Sequence, residues 1–378
     1  MAIHDPFESD LRELSKRGRL RSLRGRSGID FTSNDYLGLA ESEELRRAAA
    51  EAVARGVSVG SGGSRLMRGN HPEHEALEAE AAGYFGAETA LYFGGGYVAN
   101  LAIFSTLPQT GDLIVHDELI HASVHEGLRR GRAGFVGVPH NNVDAFDAAI
   151  VRWRATGGTG RPWLAVESLY SMDGDSPDLA ELLAVADRHE AMVVIDEAHA
   201  TGVLGPQGRG LAADFEGRDN VVTLHTCGKA LGTVGGFVLG PRIIRDFLVN
   251  RARPFIFATA PSPLTAAITR VALELSRSNP ERRERLARLV RFAGNQLRDR
   301  CNVEPSGSQI VPVIIGSDQA AVTLAAALQR QGYDIRAIRP PTVPEGTARL
   351  RVALTLNVDE ATVAGLFEAL AGHLRKAA

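Results

Sequence analysis

The sequence predicts an α/β protein with a mostly parallel seven-stranded sheet flanked by helices, followed by a smaller C-terminal α+β domain. Three observations carry this expectation. Seven short apolar runs recur at 88–93, 112–116, 133–139, 162–167, 192–195, 221–225 and 235–239. Most of the gaps between them hold helical periodicity, as in Val98–Ser105, Ala122–Arg130 and Leu179–His189. Beyond about residue 245 the alternation gives way to helical patterns over 262–300 and a last short strand-and-helix unit. A length of 378 residues calls for two or three domains. The expected division is an N-terminal arm over 1–45, a large domain over 46–260, and linking helices with a small domain over 261–378.

The elements follow from local chemistry. Phe7, Leu11 and Leu14 recur at helical spacing and predict a short amphipathic helix. A basic strip, Lys16-Arg17-Gly18-Arg19-Leu20-Arg21, reads as a solvated linker or as an arm that contacts an anion. Ser42 is placed to cap a helix in which Leu45, Ala49 and Val53 share a face, with Gly56 as its stop. Residues 56–71 are rich in glycine and serine but lack the dinucleotide-binding spacing. Pro72 then suits the first turn of a helix running to about Phe85. Near the end, Gln309–Ile315, Ile335–Ile338 and Ala348–Leu354 read as strands, with helices near 318–331 and 358–375.

Composition narrows the function classes. A net charge of −3 and the lack of a clustered basic stripe argue against a nucleic-acid partner. Cys227 and Cys301 are the only cysteines, so a reducing, cytoplasmic setting without a disulfide framework is expected. The start, Met1-Ala-Ile-His-Asp-Pro-Phe-Glu, lacks an apolar signal core, and no run of about 18 apolar residues suggests a membrane span. His116, His121 and His125, or His71 and His74, lack the partners of a recognised zinc spacing, and no metal is expected. A P-loop also fails, because Ala230 follows Gly228-Lys229 where Ser or Thr is required.

Chemistry should then gather where ligands bind such sheets, beyond the carboxyl ends of the strands. Lys229 stands out there. Of 42 basic side chains only three are lysines, and Lys16 and Lys376 lie near the termini. Any reaction needing a central amine must use Lys229, since an arginine never surrenders its proton. Asp196 closes one apolar run with a carboxylate, and Gly94-Gly95-Gly96-Tyr97 opens a helix whose N–H groups suit a phosphate. Thr226 and His121 complete the strand-end set as a phosphate donor and a flat stacking partner. Amine, acid, phosphate cradle and stacking ring are together the demands of pyridoxal 5'-phosphate.

Several motifs make the chain resemble the α-oxoamine synthases among the fold-type-I pyridoxal-phosphate enzymes, over nearly its full length. They are Ser33-Asn34-Asp35-Tyr36-Leu37-Gly38-Leu39, Gly62-Gly63-Ser64-Arg65, Gly96-Tyr97-Val98-Ala99-Asn100 and His121-Ala122-Ser123. Ser171-Met172-Asp173-Gly174-Asp175, Asp196-Glu197-Ala198-His199 and Thr226-Cys227-Gly228-Lys229-Ala230 complete the series. The resemblance implies that Lys229 links to the cofactor aldehyde and then acts as base, and that Asp196 meets the pyridine nitrogen. It implies that His199 and Ser171 contact the ring hydroxyl, that His121 stacks on the ring, and that Gly96, Tyr97 and Thr226 hold the phosphate. Arg351 is implied for the amino-acid carboxylate, with Asn34, Thr342 and Arg19 or Arg21 also near substrate. Thr259 resembles a residue that reaches the phosphate of a partner subunit, so a homodimer with shared sites is implied. Ala258 departs from the pattern where a second threonine is common. The stretch 337–351 is most similar to members that condense L-alanine with a pimeloyl thioester, carried on coenzyme A or an acyl carrier protein. Glycine-using synthases fit Ile338-Arg339-Pro340-Pro341-Thr342 less well, an aminotransferase fits the early motifs less well, and a non-catalytic scaffold would have no use for Lys229.

Overall fold

The computed structural model describes residues 4–23 and 25–377. Contacts divide the chain into two units, one of residues 1–34, 172–175 and 285–378, the other of 35–171 and 176–284. The arm expected over 1–45 thus joins the C-terminal unit only as far as residue 34. The linking helices expected from 261 belong to the large unit up to residue 284.

The chain opens with α1 (Asp5–Lys16) and β1 (Ile29–Asp30). The helix expected from Phe7 and Leu11 forms, yet none of its residues is buried within the chain. The large unit follows with α2 (Glu43–Ala54) and α3 (Pro72–Phe85). Ser42 caps α2 by accepting the Leu45 N–H at 3.3 Å. Its buried face is Leu45, Ala48 and Ala52, and Val53 is exposed, which corrects the expected stripe by one position along the helix.

Next comes the alternating core: β2 (Thr89–Phe93), α4 (Gly96–Thr106), β3 (Leu113–Asp117), α5 (Ala122–Arg130) and β4 (Gly134–Val138). It continues through α6 (Val143–Ala155), β5 (Pro162–Glu167), α7 (Leu179–Arg188), β6 (Met192–Asp196), β7 (Val221–Thr226) and β8 (Gly236–Gly240). All seven strands join one sheet in the order β2-β8-β7-β6-β5-β3-β4. Only β8 runs antiparallel to its neighbours, so β2 through β7 all end on the same edge.

Successive side chains on a strand face opposite sides of a sheet, and two cores result. Ile114, Ala165, Val194 and Leu224 pack with α4 and α5 residues such as Ala99, Ile103 and Val124. Val115, Val166 and Ile195 pack on the other face with Phe146 and Leu182. The same alternation turns Glu167, Asp196 and Thr226 toward the α4–α5 face.

The unit closes with α8 (Arg242–Arg251), α9 (Arg253–Ile256) and α10 (Pro263–Ser278), and α11 (Pro280–Cys301) begins in it. The C-terminal unit then contains β9 (Ile310–Gly316), α12 (Asp318–Arg330), β10 (Tyr333–Asp334), β11 (Ala337–Ile338), β12 (Ala348–Ala353) and α13 (Glu360–Ala377). Its main sheet is β11-β12-β9, antiparallel throughout. β1 pairs in parallel with β10, which ties the N-terminal arm to this unit.

Candidate active site

The carboxyl edge of the large sheet surrounds a cavity of about 150 Å³. Gly96, Tyr97, His121, Asp196, His199, Thr226 and Lys229 line it, all expected from the sequence. Asn100, Ser123, Glu167, Ala198 and Leu224 line it too, and none of these carried an expected role.

Asp196 is buried at the end of β6. Its Oδ1 accepts the Ala198 N–H at 2.9 Å, and its Oδ2 accepts from Asn100 Nδ2 at 2.7 Å. Both carboxylate oxygens therefore act as hydrogen-bond acceptors. Asn100 sits one helical turn into α4, and its Nδ2 also reaches Ser123 Oγ at 2.9 Å. Glu197, next along the chain, points elsewhere. It is buried and accepts the N–H groups of Leu211 and Ala212, pinning the following loop.

His121 caps α5, its Nδ1 lying 2.7 Å from Ser123 Oγ. The residue as a whole keeps solvent exposure while its side chain lines the cavity. Desolvation and then the Lys229 charge lower its pKa, partly opposed by Asp196, which favours the neutral imidazole. Tyr97 meets the same ring edge-on, with centroids 6.5 Å apart. His199 is buried, and its Nδ1 lies 2.6 Å from Tyr36 Oη.

The phosphate-side residues meet through glycine. Thr226 Oγ1 donates to the Gly235 carbonyl at 3.2 Å and accepts the Gly228 N–H at 3.3 Å. A Cβ at Gly236 would come within 3.0 Å of the Gly96 nitrogen. A side chain there would crowd the start of α4, where backbone N–H groups have no carbonyl partner within the helix. Ser171 is buried but does not line the cavity; its N–H donates to Glu167 Oε2 at 3.1 Å. Thr259 is exposed in the stretch after α9 and does not line the cavity of its own chain.

The remaining expected residues lie in the C-terminal unit. Arg351 on β12 is buried, and its Nη1 donates to Asn34 Oδ1 at 3.0 Å. Arg19 is committed to two carboxylates, Asp318 at 2.7 Å and Glu345 at 2.7 Å. Of the two arm arginines, Arg21 is therefore the one left exposed. Thr342 is exposed in the turn closed by its N–H on the Arg339 carbonyl.

A buried carboxylate, an amine, a neutral imidazole and a glycine-lined helix start can together hold a flat heteroaromatic cation that also bears an anionic group. Comparison with known proteins agrees. The chain belongs to the aminotransferase class I and II family, whose profile matches residues 26–370. Among curated relatives it is similar to 8-amino-7-oxononanoate synthases. That of Anaeromyxobacter dehalogenans is 42% identical over 98% of this chain and 96% of the relative. That of Geobacter sulfurreducens is 39% identical over 96% of each. Among solved structures, a single-substitution variant of serine palmitoyltransferase from S. paucimobilis with a bound PLP–myriocin aldimine superposes with a TM-score of 0.89 at 28% identity, covering 99% of this chain and 98% of that one. The 8-amino-7-oxononanoate synthase of Francisella tularensis gives 0.77 at 26%, covering 93% and 99%.

Proposed function

We infer that the protein is a pyridoxal-phosphate-dependent acyltransferase of biotin biosynthesis. It condenses L-alanine with a pimeloyl thioester to 8-amino-7-oxononanoate, releasing CO2 and the free thiol. The observation that carries this reading is the convergence of Lys229, Asp196 and His121 on one cavity in a chain about 40% identical to such synthases. The residues fit the cofactor. Asn100 Oδ1 and Glu167 Oε1 are buried without a protein partner, as expected where a polar ligand completes the site. When bound, pyridoxal phosphate supplies the electron sink that stabilises negative charge on the amino-acid α-carbon.

The protein's own groups do the rest. Lys229 accepts the α-proton and later returns a proton at the same face. Asp196, positioned by the donors Asn100 Nδ2 and the Ala198 N–H, faces the pyridine nitrogen. His121 covers the ring, while Gly96, Tyr97 and Thr226 take the phosphate. His199, oriented by Tyr36, takes the ring hydroxyl, and Ser171, which does not line the cavity, stands behind it on Glu167. Arg351, aligned by Asn34, offers a guanidinium fork to the alanine carboxylate. Arg21, Thr342 and the already paired Arg19 are assigned to the acyl-donor side. Thr259 serves the phosphate of a second subunit, which makes the working form a homodimer. The acyl carrier is coenzyme A or an acyl carrier protein.

The test is a substrate panel of alanine, glycine and serine, each with acetyl, succinyl, pimeloyl and palmitoyl thioesters on either carrier. Alanine with the pimeloyl donor should give the highest kcat/KM. Preference for glycine with a short acyl donor would move the chain to another synthase, and turnover with none would sink the reading.

A further inference from the structure

Glu167 lines the cavity and leaves Oε1 unpartnered, yet no chemical role is assigned to it above. It is the last residue of β5 and is the register partner of Asp196, the last residue of parallel β6. Partners in register on adjacent strands project to the same face about 4.8 Å apart. Both residues line the cavity, and both are buried, Glu167 being 2% exposed.

Two carboxylates so placed cannot both ionise cheaply, and their surroundings decide which one keeps the charge. Asp196 receives a hydrogen bond on each oxygen. Glu167 receives one, from the Ser171 N–H on Oε2, while Oε1 is buried with no partner in the protein. The other titratable groups around Glu167 are Lys229, Asp117 and Tyr170, with His121 and His199 on the cavity wall. Burial and then the Asp196 charge drive the Glu167 carboxyl well above the usual range, against smaller opposing effects of Lys229 and the Ser171 N–H.

We propose that Glu167 is a cofactor-binding residue that stands as the neutral carboxylic acid and donates its Oε1 proton to an anionic oxygen of the ligand beside Asp196 and Lys229. With Glu167 neutral, the Asp196 and Lys229 charges balance, and an anionic cofactor enters without meeting excess negative charge. An ionised Glu167 would instead present a second buried anion to it. The proposal rests on the pyridoxal-phosphate reading, because that cofactor supplies the oxygens.

Infrared difference spectra between the unsubstituted protein and Glu167→Gln, taken without cofactor at neutral pH, read the protonation state directly. A carbonyl band of a protonated carboxyl, lost in the variant, is expected; an ionised-carboxylate difference would overturn the proposal. Cofactor titration of the apoproteins gives the second readout. Glu167→Gln, which keeps a neutral donor, should bind within about threefold of the parent, and Glu167→Ala should bind about tenfold more weakly. Equal losses in both variants would overturn the donor role. If the unsubstituted protein takes up no cofactor at all, the functional reading fails, while the infrared result still decides the state of Glu167.

Discussion

Tyr36 Oη lies 2.6 Å from His199 Nδ1, joining two buried side chains 163 positions apart in the chain. The bond fixes which ring nitrogen of His199 faces the cavity. Tyr36→Phe removes the hydroxyl while keeping the packing. It should lower kcat by about tenfold and stability by about 1 kcal/mol. Steady-state kinetics and chemical denaturation measure the two effects. An unchanged kcat would reduce Tyr36 to a core residue.

Among the described residues, Lys229 is the sole amine lining the cavity. Lys229→Ala should abolish turnover and the absorbance of the bound cofactor near 400 nm. Lys229→Arg should fail equally, since a guanidinium keeps its proton. Activity in the arginine variant would show that the amine's proton transfer is not required.

Asn100→Leu leaves Asp196 with one donor in a buried site. Loss of a hydrogen bond to a charged group predicts cofactor affinity lower by about tenfold or more. Asn100→Asp should be worse, because it sets a like charge against Asp196. Absorbance titration of each apoprotein checks this order.

Arg351→Lys keeps the charge but loses the fork held by Asn34. It should raise the alanine KM by about tenfold while leaving cofactor affinity unchanged. A matching loss of cofactor affinity would move Arg351 to a cofactor role.

His74 and His116 are buried, each with a ring nitrogen bonded to a backbone carbonyl, that of Pro261 at 2.7 Å and that of Asp117 at 2.8 Å. Burial is the main cause that lowers both pKa values. The unfolded chain therefore binds protons more readily than the folded one just below the ordinary histidine pKa. Stability is full above about pH 6.5 and falls as pH drops through that window, by about 1.4 kcal/mol per pH unit for each proton taken up by the unfolded chain. Denaturation midpoints measured from pH 7.5 to 5.5 should show this slope, and the double variant His74→Gln, His116→Gln should reduce it, leaving the share of His121 and His125, whose pKa values burial also lowers.

The sheet was legible in the sequence because strand and helix leave different periods. The seven runs match β2 to β8 within one residue at each end. The helix α6 is harder to read, since its stripe of Val143, Phe146, Ala149 and Ile150 lies between two apolar runs with strand character. Lys229, Asp196 and His121 were legible because an amine, a carboxylate and an imidazole at strand ends have chemistry that needs no partner to be recognised. Asn100, Tyr36 and Glu167 were not. An asparagine in a helix or a glutamate ending a strand has an ordinary structural explanation until its neighbour is known.

By itself, then, the sequence determined the alternation of elements, the single central amine and the edge at which polar residues collect. Tertiary structure alone decided that Glu167 stands beside Asp196, that Asn100 reaches Asp196 from α4, and that Tyr36 orients His199. The physical reason lies in strand order. Side-chain direction follows from local backbone geometry, but lateral neighbours depend on which strands hydrogen-bond. The order β2-β8-β7-β6-β5-β3-β4 is not that of the chain.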